Sequence, residues 1–243
     1  MRYKITFAYK GTAYAGWQRQ KNAVSVQEVL EGAFERLFGA PCSVTASGRT
    51  DAGVHAAGQV AHFDADTSVP PDKIPFAVNA FLPQDISVYA CEPVSDAFNA
   101  RFTAKRKTYA YSFYTEPHIN PLKNDLACHI PYTLNLPEMR RAAEFLKGTH
   151  DFKCFEATGS IIKNTVRTLY FLEISYDNGE YKITVTGNGF LYNMVRIIAG
   201  TLVYVGMGKI PADDISGIIE GRDRTRAGKT LPANGLTLVS VEY

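Results

Sequence analysis

The 243-residue chain has no marked charge excess, no cysteine framework, no membrane-length apolar run and no low-complexity tract. Lys and Arg total 26 against 24 Asp and Glu, so affinity for nucleic acid has to come from local clustering and not from a global field. The four cysteines (Cys42, Cys91, Cys128, Cys154) form no C-x-x-C pair. This argues against a disulfide frame or zinc site, and for reduced, mostly buried thiols in a cytoplasmic protein. The apolar runs are too short or too interrupted to span a bilayer, and the chain opens on a strand pattern with no signal peptide. Gly187-Asn188-Gly189 lacks the lysine and hydroxyl residue of a phosphate loop. His150-Asp151 has no G-x-S-x-G elbow to serve and reads as a cap after a helix stop. His55 and His62 have no third ligand at metal spacing, so no metal site is expected.

Ordinary globular patterning is what remains: 46% of residues are hydrophobic and 21% charged. Arg2 to Tyr9 alternates, with Tyr3, Ile5, Phe7 and Tyr9 on one face, which predicts a half-buried strand. Ser25 and Glu28 form a capping box for a helix running to Phe38, where Gly39 stops it. Short strands are predicted over Ser43 to Ala46 and Gln59 to Phe63, a helix over Asp72 to Leu82, and a strand over Ile86 to Glu92. The order then repeats. A strand over Lys105 to Tyr114 precedes a helix capped by Asn135 and ending at Leu146. A hairpin joins Arg167–Tyr176 to Tyr181–Thr186 through Asp177-Asn178-Gly179. A helix over Phe190 to Val205 buries Leu191, Val195, Ile198, Leu202 and Val205; a short helix over Asp213 to Glu220 and a strand over Leu236 to Tyr243 finish the chain.

Two successive split β-α-β patterns predict an α+β fold of two side-by-side, ferredoxin-like halves, each with an antiparallel sheet backed by helices. The halves divide at 1–104 and 105–243, and a cleft between them is the natural place for a site.

The stretch Ser47-Gly48-Arg49-Thr50-Asp51-Ala52-Gly53 puts an arginine and an aspartate on one glycine-bracketed loop. Asp51 reads either as a turn cap or as a reagent. Arg196 has two apolar neighbours on each side in a core-type helix. It either snorkels or pairs with an anion, because a guanidinium cannot shed its charge. A pair with Asp51 would keep that carboxylate ionised, as a nucleophile requires. Tyr109 shares a strand face with Lys107, Tyr111 and Phe113; the last two read as core, while Tyr109 lies nearest the basic cluster Arg101, Lys105, Arg106, Lys107. A second cluster, Arg222, Arg224, Arg226 and Lys229, completes a candidate phosphate-binding surface. Two readings compete: an enzyme that acts on an extruded base, and a non-catalytic RNA-binding module with aromatic sheet faces. A two-carboxylate hydrolase is disfavoured, since the Asp51 loop offers no second acid.

Several stretches together resemble the tRNA pseudouridine synthase A family over essentially the whole length: Gly11 to Gln18, Gly48 to Ala56, Gln59 to Ala61, Phe102 to Tyr111, Gly189 to Arg196 and Pro232 to Leu236. The resemblance implies a pseudouridine synthase fold and isomerisation of uridine at positions 38, 39 and 40 of the tRNA anticodon stem-loop. It implies a homodimer working without cofactor or metal. By it, Asp51 is the nucleophile, Arg196 its partner, Arg49 the residue that takes the place of the extruded base, Tyr109 the active-site tyrosine and Leu236 an apolar wall behind the uracil. Arg106 and Lys107 fall in the matching stretch beside the tyrosine and are expected to hold RNA. Two positions depart from the family pattern: Lys10, where aspartate is common, and Leu231, where alanine is common.

Overall fold

In the computed structural model, which describes residues 1–160 and 162–243, the chain divides into two compact units. Met1–Lys105 with Thr237–Tyr243 form the first, and Arg106–Leu236 form the second. In chain order the first 105 residues give β1 (Arg2–Tyr9), α1 (Val26–Phe38), β2 (Thr45–Ala46), β3 (His55–Asp64), α2 (Ile74–Asn79) and β4 (Ile86–Val94). Residues 106–236 give β5 (Arg106–Tyr114), β6 (Cys128–His129), α3 (Leu136–Leu146), β7 (Gly148–Asp151), β8 (Val166–Asp177), β9 (Glu180–Gly187), α4 (Met194–Gly206) and α5 (Asp214–Gly221). The chain ends in β10 (Leu236–Glu242).

The first unit is a β-α-β-β-α-β arrangement in which β1 lies between β4 and β3, antiparallel to both. The outer edge of β3 is shared: β2 pairs antiparallel near its far end, and β10 pairs parallel through Thr237 and Leu238 opposite His55 and Ala56. The alternation of β1 is realised, with Tyr3, Ile5, Phe7 and Tyr9 all buried. On α1, Val26, Leu30, Ala33 and Phe34 are buried, and the Phe34 ring centre lies 4.6 Å from that of Phe63 on β3. Ser25 caps α1 as its spacing predicts, accepting the Glu28 N–H at 3.3 Å, and Gly39 closes it in the left-handed conformation.

In the second unit the strand order is β5-β9-β8-β7, antiparallel throughout, with β6 added parallel to β5. Asn178 and Gly179 both take positive φ, the turn that lets β8 and β9 keep their twist. Buried faces of α3 (Met139, Ala142, Ala143, Leu146) and α4 (Val195, Ile198, Leu202, Val205) supply apolar cover in the same unit as Leu172, Ile174, Ile183 and Val185 of the sheet. Both units are thus mixed α and β, with sheets that are antiparallel apart from the two short parallel pairings.

Several elements differ from expectation for identifiable reasons. The last strand, expected with the second half, belongs to the first unit through its pairing with β3. β3 starts four residues before Gln59, because pairing and not alternation defines its first turn of chain. α2 is shorter than Asp72 to Leu82, hemmed by Pro70, Pro71 and Pro83. α4 begins at Met194 and not Phe190, since Asn193 takes φ 58 and breaks the helical run. Among the described residues no helix is long and apolar enough to cross a membrane. The cysteines are unpaired by disulfides, and burial pushes the thiols of Cys42, Cys91 and Cys154 up to about 12, so they stay protonated at neutral pH.

Candidate active site

In the first unit, the loop that carries Asp51 is held from three directions. From the sheet, the side chain of Gln59, fully buried on β3, accepts the Ser47 hydroxyl at 2.6 Å and donates to the Gly48 carbonyl at 3.2 Å. From β1, the Tyr9 hydroxyl shares a 2.8 Å hydrogen bond with the Thr50 hydroxyl; desolvation lifts this phenol to about 12, so it stays neutral. The third direction is the segment Gly11 to Trp17. Its Trp17 N–H donates to the Thr50 carbonyl at 3.0 Å, and the Gly53 N–H donates back to the Tyr14 carbonyl at 3.3 Å.

That clasp explains its glycines. A Cβ on Gly16, which sits at φ +91, would lie 2.5 Å from the Thr50 carbonyl oxygen and 3.1 Å from the Asp51 carbonyl carbon. A Cβ on Gly11 would lie 2.0 Å from the Val54 carbonyl oxygen, so backbone approaches backbone with no room for a side chain. Gly11 N–H also donates to Nδ1 of His55 at 2.9 Å, which gives that histidine a structural role. His62 has one too, accepting the Ala100 N–H on its Nδ1 at 3.2 Å. Asp51 closes its own turn by accepting the Val54 N–H on its carbonyl at 3.1 Å. Its side chain is half-buried, while Arg49, two residues earlier, is exposed. The loop is therefore a braced mount for one carboxylate, with an exposed cation at its rim.

The second unit holds the other candidates. Arg196 is half-buried in the first turn of α4. Its Nε donates to the Leu231 carbonyl at 2.7 Å, and one terminal nitrogen donates to Oδ1 of Asn193 at 2.6 Å. The guanidinium is thus oriented by neutral acceptors within its own unit and does not merely snorkel. Leu231 belongs to a strap that runs back along α4. The Gly228 N–H donates to the Thr201 hydroxyl at 2.8 Å, and a Cβ on Gly200 would lie 1.9 Å from the Lys229 carbonyl oxygen. Further along, the Tyr111 hydroxyl donates to the Pro232 carbonyl at 2.8 Å, and the Asn234 amide donates to the carbonyls of Asn124 and Ala127 at 2.6 and 3.0 Å. Gly235 lies so near Tyr111 that a Cβ would come within 2.7 Å of the ring. Leu236, buried, follows directly. Burial drives the Tyr111 phenol well above the usual tyrosine range, and this keeps it a donor at every working pH.

Tyr109 is half-buried on β5, its ring edge-on to Phe190 with centres 5.2 Å apart. Tyr111 and Phe113, on the same face, are fully buried, as their core reading predicts. Arg106 is exposed and lies over the Tyr170 ring at 4.7 Å; Lys107 is half-buried opposite Gly187. In the second basic cluster three of the four cations have partners within their own unit, while Lys229 is exposed. Arg222 ion-pairs with Asp151 at 3.0 Å, Arg224 donates to Gly228 and Thr230, and Arg226 donates to the Gly217 carbonyl. Asp151 also accepts the Lys153 N–H, which matches its expected capping role.

Sequence reasoning missed Gln59, Tyr9, Asn193 and Tyr111 as supports. The signal for Gln59 was a polar residue opening a mostly apolar strand, Gln59 to Phe63. Among the described residues no group of three or more His, Cys, Asp or Glu has the spacing to hold a metal ion.

A family described as tRNA pseudouridine synthase matches residues 5–103 and 142–243. The chain is 51% identical over 241 residues to tRNA pseudouridine synthase A of Ruminiclostridium cellulolyticum, covering 99% of this chain and 98% of that protein. It is 47% identical over 239 residues to the protein of that name from Thermoanaerobacter pseudethanolicus, covering 98% of each. With tRNA pseudouridine synthase A of Bacillus subtilis it shares 46% identity over 245 residues, covering 100% of this chain and 99% of that protein.

Proposed function

Because the chain belongs to the tRNA pseudouridine synthase family, and so is an isomerase of uridine in tRNA, we propose that Asp51 is its nucleophile and that its targets are uridines 38, 39 and 40 of the anticodon stem-loop. The observation that carries the first half is the mount just described. Three independent braces hold the loop at Ser47, Gly48, Thr50 and Gly53, on both sides of Asp51, and so fix the point from which its carboxylate projects.

The reaction balances within one nucleotide. The N1–C1′ bond breaks, the uracil turns, a C5–C1′ bond forms, the C5 proton leaves to solvent and N1 takes up a proton. No electron carrier or outside reactant enters, so the stoichiometry calls for no redox cofactor or co-substrate; a reaction that also uses no metal is left unchanged by a chelator. As an ionised carboxylate, Asp51 can attack the sugar at C1′, add to C6 of the ring, or stabilise charge while the 2′ proton leaves. Arg196 keeps it ionised. The uridine has to leave its stack to be reached, and Arg49 on the loop's rim takes the vacated place. Tyr109 flanks the uracil as platform and proton handler, Leu236 backs it, and Arg106 and Lys107 hold the adjoining phosphates. A homodimer in the cytoplasm is the working form.

Unmodified tRNA transcripts incubated with the protein, then mapped chemically for pseudouridine, test this reading. Modification confined to positions 38, 39 and 40 supports it. Modification in another arm of the tRNA overturns the position, and tRNA binding with no pseudouridine at all would leave the RNA-binding module as the function.

A further inference from the structure

The turn from Asn99 to Thr103, in the first unit, is braced far beyond the needs of a surface loop. The Asn99 side-chain oxygen accepts the N–H groups of Arg101 and Phe102 at 3.0 and 3.1 Å. Its carbonyl accepts both the N–H and the hydroxyl of Thr103, at 2.9 and 2.6 Å. Between them Ala100 is fully buried, its N–H given to His62 and its carbonyl accepting the Tyr243 hydroxyl at 2.8 Å. His62 and Tyr243 both pack on Phe98, with ring centres 6.2 and 4.9 Å away.

This frame holds the Phe102 ring out in solvent, 78% exposed, with the Arg101 guanidinium 5.5 Å from its centre. A phenylalanine left in water forgoes about 2 kcal/mol of burial. Here a rigid turn enforces that exposure, where a mobile loop would have let the ring fold back. The neighbours define what it fits. Arg101 and Lys105 are exposed cations on the same segment, so a second copy of the chain would bring like charges together around a single ring. A polyanion carrying flat π-surfaces suits both features, because bases stack on aromatic rings and on guanidinium planes while phosphates meet the cations.

We propose that Phe102, with Arg101, is a stacking platform for an unpaired nucleobase of the tRNA substrate, outside the residues that do the chemistry. This rests on the reading of the chain as a tRNA isomerase. The test compares Phe102→Ala, Phe102→Trp and the matched control Phe76→Ala, another exposed phenylalanine (76%), whose neighbour Lys73 is ion-paired to Asp72. Each variant is assayed for transcript binding, KM, kcat, thermal midpoint and mass by light scattering. Loss of one stacked base weakens binding by roughly 5- to 100-fold. F102A is therefore expected to raise Kd and KM by that factor, with a much smaller change in kcat and the thermal midpoint unmoved. F102W restores both, and F76A behaves as the parent. Parental Kd in F102A, or weakened binding that tracks conversion to a lighter species, overturns the platform; the second result assigns the ring to self-association. If the parent binds tRNA without isomerising it and F102A still weakens binding, the platform stands and only the enzymatic reading fails.

Discussion

Arg196 donates its Nε proton to the Leu231 carbonyl at 2.7 Å, and Leu231 returns its own N–H to the Arg196 carbonyl at 3.3 Å. The exchange ties a charged side chain on α4 to the strap that ends at Leu236. It uses only the backbone of residue 231, so these two bonds place no demand on that side chain.

Arg196→Lys breaks this exchange while keeping the charge, because an ammonium cannot reproduce the planar fork. Turnover is expected to fall about 100-fold, in line with loss of an aligned electrostatic group. Leaving the Leu231 carbonyl unpaired costs about 1–3 kcal/mol. Steady-state kinetics and a thermal melt read the two effects separately. Parental kcat in the lysine variant would show that orientation of the cation is immaterial.

Tyr111→Phe tests the same strap from the sheet side. It removes one buried donor and leaves the Pro232 carbonyl unsatisfied, for about 1–3 kcal/mol of stability. If the bond only supports the fold, kcat/KM stays at the parental value once the protein is folded. Positioning of Leu236 instead appears as a drop of about tenfold in kcat at 20 °C below the melting transition, the effect of a slightly misplaced apolar wall.

Gly16→Ala addresses the clasp around Asp51. The added methyl meets the Thr50 carbonyl at 2.5 Å in a left-handed backbone, a strain of about 1–3 kcal/mol. Relief requires the Asp51 turn to shift, so turnover is expected to fall more steeply than stability. Gly32→Ala on α1, where a Cβ meets nothing within 4 Å, is the comparison that keeps both.

Much of this arrangement was legible in the residues. The β1 alternation, the Ser25 cap, the Asn178-Gly179 turn and the glycine-bracketed Asp51 loop are local signals, each written within a few positions. What stayed hidden depends on distant partners. Gln59 looks like an odd polar residue in a strand until Ser47 and Gly48 come back to meet it. Asn193 gives no sign that it takes φ 58 and delays α4, since that conformation is fixed by its bond to Arg196 as much as by its own preference. β10 carries an ordinary strand pattern, and nothing in it says that its partner lies about 180 residues earlier on β3. The internal partners of Arg222 and Arg226 in the second basic cluster stayed hidden for the same reason, because they sit on other segments.

His62 supplies a pH dependence. Burial, reinforced by Arg2 and opposed by Asp64 and a bond to the Thr45 backbone, lowers its pKa below the ordinary 6.5. The neutral ring accepts the Ala100 N–H, which anchors the Asn99–Thr103 turn. A depressed folded-state pKa means the unfolded chain binds the proton more readily, so stability is fully present above pH 6.5 and drains away as pH falls through that value. Thermal midpoints across pH 5–8 are expected to drop on the acid side, with the drop reduced in His62→Gln. An identical acid-side fall in the variant would assign it to other groups.

The central claim is that one carboxylate does the chemistry, and Asp51→Asn tests it most directly. The amide keeps the size and the turn while removing the charge. Tritium release from tRNA labelled at uracil C5, run beside a tRNA-binding measurement, separates catalysis from recognition. Release at background with tRNA affinity retained is the expected result; release at a parental rate from the asparagine protein would contradict the account.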